Sequence, residues 1–349
     1  MVKLVVINQA RHCLLEIMMR FNPIVLHARV KRKQIGALGM NTKPNHYQYK
    51  VDVKQEDTLR ESFNALTRNT FGFDFTDWYA AGHWGEWYIP HVLLDGDNVI
   101  SNVSVNLMQF DLGGVKKNFI QLGTVMTKET CRGQGLNRQI MERILAEYAG
   151  KVDGIYLFGN DDVVNYYPKF GFKPAKEYEY YLDRQALQAE NADEITPYRL
   201  QHVELNDAAQ AEQLYTYMKE YSVCTAALNQ NDGLYMNENI SLYQFWLAAG
   251  FGDSVYYLPE TGNYVIAEMD DSTLRIHQIF GKQRVDIIRF SAAFHDQAVN
   301  EVVLGYTPAR HDGFLLREHK EEDCTLFILG DDLMCIEREK LMFPVLSHA

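Results

Sequence analysis

Two short stretches of this 349-residue chain carry residue types at spacings that chemistry can use. The first runs from Leu122 to Met141 and centres on Arg132-Gly133-Gln134-Gly135-Leu136-Asn137-Arg138. Glycines at 133 and 135 let the backbone turn tightly with its N–H groups converging, and a helix starting there adds the positive end of its dipole. Together these form an anion cradle suited to a pyrophosphate, with Arg132 and Arg138 placed to supplement it. The alternative is an ordinary strand-to-helix turn that uses glycine only for its dihedral angles, and for this stretch alone it is the better reading. The second stretch, Asn160 to Phe172, also begins where a strand ends and holds Asn160, Tyr166, Tyr167 and Gly171. Either phenol here can be one more packed aromatic in a chain with 21 tyrosines.

In combination the two stretches are specific. Arg-x-x-Gly-x-(Gly/Ala) after one strand, then Asn-x6-Tyr-x3-Gly-Phe after the next, resembles the GNAT superfamily of acetyl-CoA-dependent N-acyltransferases. The matches fall at Arg132, Gly135, Asn160, Tyr167, Gly171 and Phe172. Asn137 departs from the pattern, standing where the family has Gly or Ala; asparagine tolerates the loop's dihedrals but would crowd an approaching pyrophosphate.

The resemblance covers about residues 50–183 and implies roles residue by residue. Acetyl-CoA would be the acyl donor. Backbone groups of Val125, Met126 and Thr127 would bond the pantetheine arm. The N–H groups of Gly133, Gln134, Gly135, Leu136 and Asn137 would hold the pyrophosphate, with Arg132 beside it. Asn160 would bond the pantetheine amides, and Tyr167 would be the general acid to the departing CoA thiolate. Transfer would be direct, an amine attacking a thioester held beside it, so that orientation and carbonyl polarisation supply most of the acceleration. Family members often place a glutamate base on the strand before the loop, where this chain has Gln121, which cannot ionise. The base is therefore unassigned, with His83, Glu86 and a water as candidates. The aromatic run from Phe71 to Tyr88 corresponds to the family's acceptor wall; core packing accounts for most of it, and His83 and Trp84 are the expected acceptor contacts.

The elements that must position these residues follow from periodicity. A helix is expected over 56–70, then strands separated by Asp95-Gly96-Asp97-Asn98 and Asp111-Leu112-Gly113-Gly114. Val103, Val105 and Leu107 alternate with Ser104 and Asn106, the period of a half-buried strand. Phe119–Thr127 reads as a strand. From Asn137 the period changes, with Ile140, Met141, Ile144, Leu145 and Tyr148 on one helical face. A short strand (155–158), a short helix (163–169) and a strand (178–182) complete this half. After a polar linker, 184–198, the rhythm returns: helices near 206–221, 241–249 and 284–295, strands near 254–258, 263–269, 274–280 and 300–305. The expected fold class is α+β (mixed α/β), a GNAT-like central mixed sheet flanked by helices, in two similar tandem halves. The catalytic domain spans 40–183; the second, 199–349, lacks the Arg-x-x-Gly-x-Gly spacing after Phe280 and is expected to be degenerate, with an unrelated dimerisation domain as the alternative.

Charge and cysteines narrow the class. The chain carries 34 Lys+Arg against 46 Asp+Glu, a balance that disfavours a general nucleic-acid binder. Residues 1–39 alone carry seven cations and one acid, a basic extension that is either a real arm or not part of the native protein. The five widely spaced cysteines form no metal-ligand pair and fit a reduced, cytoplasmic setting; no metal and no membrane span are expected. The expected activity is N-acetyl transfer to the primary amine of a small molecule. The rival readings are a non-catalytic acyl-CoA-binding or scaffold protein, and transfer to a protein or peptide amine.

Overall fold

The computed structural model describes residues 47–189, 195–221, 233–295 and 298–349. The basic extension 1–39, Met40, Cys13, Cys224 and the acidic middle of the expected linker, 190–194, lie outside the described residues. The strands are β1 (Gln48–Val51), β2 (Tyr88–Asp95), β3 (Asn98–Leu112), β4 (Val115–Thr127), β5 (Gly154–Gly159), β6 (Lys173–Ala175), β7 (Glu177–Asp183) and β8 (Gln201–His202). They continue as β9 (Leu234–Asn237), β10 (Val255–Leu258), β11 (Asn263–Asp270), β12 (Thr273–Phe280), β13 (Glu301–Leu304), β14 (Leu315–His319) and β15 (Thr325–Leu329). The longer helices are α1 (Asp57–Phe71), α2 (Leu136–Tyr148), α3 (Ala208–Tyr221) and α4 (Ile240–Ala249). The fold is mixed α/β, with two mixed sheets flanked by helices. One sheet has the order β1-β2-β3-β4-β5-β15-β6, with β9 on the far end of β3; the other has the order β14-β7-β13-β12-β11-β10-β8.

Each sheet contains a parallel pair, β4 with β5 and β12 with β13. The sheets also exchange strands: β7, from before the expected linker, pairs with β13 and β14, while β15, near the end of the chain, pairs with β5 and β6. The linker itself begins as a helix, Arg184–Ala189, because the Asp183 carboxylate accepts the Ala186 N–H at 2.8 Å and caps it. The helix expected at 284–295 starts only at Ile287, since Asp286 accepts from the N–H groups of Ile288 and Arg289.

By compactness the chain divides into two units. One holds the described residues up to Asp77 with Ile89–Val105 and Thr124–Tyr148. Its core forms because α1 repeats apolar residues at helical spacing, burying Leu59, Phe63 and Leu66, and ends where Gly72 adopts φ 80°. Thr67 Oγ1 donates to the Phe63 carbonyl at 2.9 Å and sits 3.8 Å from Met126 Sδ, so β4 is seated on this helix. The α2 helix buries Leu136, Ile140, Met141 and Ile144.

The other unit holds Trp78–Tyr88, Asn106–Gly123 and Ala149–Ala349. Leu274, Ile276, Val302, Leu304 and Phe290 lie at the centre of its second-sheet core. A strap of residues 341–349 crosses this unit. Met342 N–H donates to Thr307 Oγ1 at 2.8 Å and Val345 N–H to the Gly305 carbonyl at 2.8 Å, while the Phe343 ring stacks on Tyr156 at 4.0 Å. No helix among the described residues is long and apolar enough to cross a membrane.

A buried charged cluster ties β7 to β14 and the strap. Glu179 accepts from Arg317 Nε at 2.5 Å and pairs with His319 Nδ1 at 2.8 Å; although burial opposes ionisation, His319 and Arg317 hold its carboxyl down at about 2. Glu177 accepts the Phe343 N–H at 2.8 Å, and burial pushes its pKa up to about 7. A carboxyl with a raised folded pKa stabilises the fold while protonated and loses that contribution as pH rises through its folded value. The raised His319 acts in the same direction. Burial acts the other way on His83, His91 and His348, whose lowered pKa values add stability as pH rises. The Glu177 contribution is therefore read by difference: the thermal midpoint of Glu177→Gln should gain on that of the wild type between pH 5 and pH 8, as scanning calorimetry at the two pH values would show.

Candidate active site

The glycine loop lies within the first unit. Gly133 and Gly135 have φ of 78° and 75°, and an added Cβ at either would meet no atom within 4 Å. Their need for glycine is therefore conformational, since left-handed backbone costs an L-residue about 1–2 kcal/mol. Residues 132–135 are exposed, and the first α2 bond runs from Gln139 N–H to the Gly135 carbonyl at 3.1 Å. The amides of Leu136 and Asn137 thus precede the helical ladder. Arg132 Nε donates to the Thr127 carbonyl at 3.3 Å and closes the loop onto the end of β4.

Asn137 answers the question raised by its departure from Gly or Ala. Ser101 Oγ donates to its Oδ1, and Ser101 Oγ also lies 3.0 Å from Thr127 Oγ1. The amide is tied to β3 rather than left free in the loop. Along β4, Met126 points into the core, whereas Val125 and Thr127 are half-buried. Thr124 has φ 48°, a strained value for a β-branched residue, and Asn102 Nδ2 holds its carbonyl at 2.8 Å.

In the second unit the parallel ladder of β4 and β5 pairs Phe119, Ile120 and Gln121 with Gly154, Ile155 and Tyr156 and then stops. Beyond Tyr156, β5 runs on to Gly159, paired on its other edge with β15. The end of the strap occupies this opening. Gln121 Nε2 donates to the Ala349 carbonyl at 3.1 Å, and a Cβ on Gly123 would fall 2.5 Å from that oxygen, so only glycine fits.

Tyr167 sits over the end of β5. A Cβ on Gly159 would fall 2.9 Å from its ring, which also packs against Phe327 at 5.3 Å and Phe172 at 6.1 Å. The Tyr-x3-Gly-Phe spacing has a local cause: Tyr167–Phe170 form one 3-10 turn rather than the longer helix expected at 163–169, Gly171 stops it with φ 92°, and Phe172 folds back onto Tyr167. Burial raises the Tyr167 pKa well above the usual phenol value. Asn160 caps the preceding turn with its carbonyl, and its Oδ1 is buried with no hydrogen-bond partner.

The expected acceptor contacts are placed as follows. Trp84 is buried, stacked on Trp78 at 5.7 Å, with Nε1 donating to the Tyr88 carbonyl at 3.2 Å. His83 is half-buried with its ring edge on Tyr215 at 5.5 Å, and burial lowers its pKa. Sequence reasoning missed Gly123, Thr124, Gly159 and His348. The strained Thr124 and the long-range partners of the glycines leave no local signature, whereas the turn from Asn160 to Val163 and the turn at Gly171 do.

The family model of the acetyltransferase (GNAT) domain matches residues 54–175. Among solved structures, a GCN5-related N-acetyltransferase from Anabaena variabilis ATCC 29413 is 14% identical with a TM-score of 0.52, covering 80% of this chain and 72% of that one. A conserved protein of unknown function from Enterococcus faecalis V583, named a probable N-acyltransferase, is 16% identical with a TM-score of 0.51, covering 81% of this chain and 72% of that one. These two likenesses are of fold. No curated protein matches the sequence. Among the described residues no group of three His, Cys, Asp or Glu is arranged to hold a metal ion.

Because Gly135 is required by dihedral angle alone, Gly135→Ala should lower unfolding stability by about 1 kcal/mol and weaken acetyl-CoA binding, read by urea denaturation and calorimetric titration. Unchanged values in both would contradict the left-handed loop.

Proposed function

On the match of residues 54–175 to the acetyltransferase (GNAT) domain model, we propose that the protein is an acyltransferase that moves an acetyl group directly from acetyl-CoA to a primary amine of a small molecule. The observation that carries this reading is the opening of the β4–β5 ladder, flanked by Tyr167 over Gly159 and by the unpartnered Asn160 Oδ1. Amides of Gly133, Gln134, Gly135, Leu136 and Asn137, with Arg132 at the loop, would receive the pyrophosphate. Backbone groups of Val125, Met126 and Thr127 would pair with the pantetheine arm, and Asn160 Oδ1 would accept one of its amide N–H groups. On the acceptor side we place His83, whose N–H donates to the Trp78 carbonyl at 3.0 Å, and its neighbour Trp84.

In the reaction the amine nitrogen forms a bond to the thioester carbonyl carbon, the C–S bond breaks, and the thiolate takes the Tyr167 proton. Burial keeps that phenol protonated through neutral pH, the state a general acid needs. The excess of acidic residues favours approach of a cationic amine. Cys131, Cys324 and Cys335 are free thiols, which supports a reducing, cytoplasmic setting.

We assign the second sheet no cofactor. At its parallel pair the Gly305 N–H donates to the Ile276 carbonyl at 2.8 Å and the Gly305 carbonyl accepts from Val345 N–H at 2.8 Å, so the chain's own strap takes the groups that follow β13. Calorimetric titration should accordingly give one CoA per chain.

The decisive assay is free-thiol release from acetyl-CoA over a panel of amines. Tyr167→Phe should cut turnover by about 10²-fold or more while acetyl-CoA affinity stays within about threefold. Acetyl-CoA binding without release on any amine would replace the enzyme reading with a non-catalytic acyl-CoA binder.

A further inference from the structure

We propose that His348 holds the acceptor amine and takes its proton during transfer, an inference that rests on the acetyl-transfer reading above. Gln121 and Tyr156 are opposite partners in the parallel ladder, and Phe158 is two residues beyond Tyr156, so these three side chains share one face of the sheet. The strap lies on that face. Its His348 ring stacks on Phe158 with centroids 3.9 Å apart at 26°, and its carbonyl accepts from Trp246 Nε1 at 2.9 Å. The next residue is held by the bond from Gln121 to the Ala349 carbonyl. His348 is thus fixed by ring and backbone together.

The hydrogen bonding of the ring decides what it can do. It bonds to the backbone of Phe343, while Nε2 is enclosed and has no partner. Gln121 Oε1, on the same face, is likewise enclosed without a partner. Two unsatisfied acceptors on one face of the sheet call for a ligand that donates two hydrogen bonds, and a primary amine does so. Of the two, only the imidazole can accept a proton. Tyr167 lies on the other face of β5, since it packs over Gly159 and neighbouring residues of a strand point to opposite sides. Proton donor and proton acceptor therefore stand on opposite sides of the strand end.

The step balances. As the amine lone pair forms the C–N bond its N–H becomes acidic, the proton passes to His348 Nε2, the C–S bond breaks, and the thiolate takes the Tyr167 proton. Burial lowers the His348 pKa to about 4, with Glu321 raising and His319 lowering it, so the imidazole is neutral and its lone pair is available at neutral pH. The acidity of the attacking nitrogen lets a base this weak accept its proton.

The test compares the full chain with His348→Phe, which keeps a ring on Phe158, and with His348→Gln in case the first variant misfolds. Both should lose about 10²-fold or more in thiol-release turnover with unchanged acetyl-CoA affinity while remaining folded, and imidazole added to His348→Ala should restore part of the rate. Turnover within threefold of wild type in the folded variants, or loss that imidazole does not rescue, overturns the role of His348 alone. Failure of the wild type to release thiol with any amine overturns the acetyl-transfer reading and this inference together.

Discussion

A parallel ladder that closes over three residue pairs and then ends is the constraint on which the candidate site depends. Buried backbone groups are almost always paired, so a ladder that stops inside a sheet must hand its remaining donors and acceptors to something else. On one edge β5 keeps β15 as its partner to Gly159. On the other, the opening receives part of the strap, with Ala349 held by Gln121. Gly123, with no space for a Cβ, and Thr124, at φ 48°, stand at the point where β4 passes from the paired to the unpaired stretch. The strain at Thr124 costs on the order of 1–3 kcal/mol and persists because Asn102 holds its carbonyl.

The parts of the site legible in the sequence are those whose causes are local. Gly133, Gly135 and Gly171 mark themselves because only glycine is at ease with their positive φ. The alternation of Val103 and Val105 and the helical face of Ile140, Met141 and Ile144 mark the elements on either side of the loop. The exchange of strands between the sheets left no such trace. Thr325–Leu329 is a short apolar run, and nothing in it tells that its partners are β5 and β6. The same holds for the bond between Gln121 and Ala349, which joins residues 228 positions apart. Asp183 and Asp286 are caps visible in retrospect, one turning the start of an expected linker into a helix and the other trimming the start of a helix. Trp84 belonged to a dense aromatic run in which spacing could not separate a packed ring from a ligand-facing one.

The strap gives the C-terminal half a physical part in the chemistry proposed for the opening. Through Met342 and Val345 it is hydrogen-bonded to the residues around the end of β13, and through Phe343 and His348 it is stacked on Tyr156 and Phe158 of β5. Glu177 reinforces it by accepting the Phe343 N–H. A second half without a phosphate loop of its own can thereby act by holding acceptor-side groups in place, and pre-positioned groups of this kind are worth most where water is excluded.

The most direct test of this account is a crystal structure with CoA bound. The account predicts a single CoA, its pyrophosphate on the amides of residues 133–137 and its sulfur in the β4–β5 opening within hydrogen-bond reach of the Tyr167 hydroxyl. CoA lying along β12 and β13, or a sulfur remote from Tyr167, would contradict it.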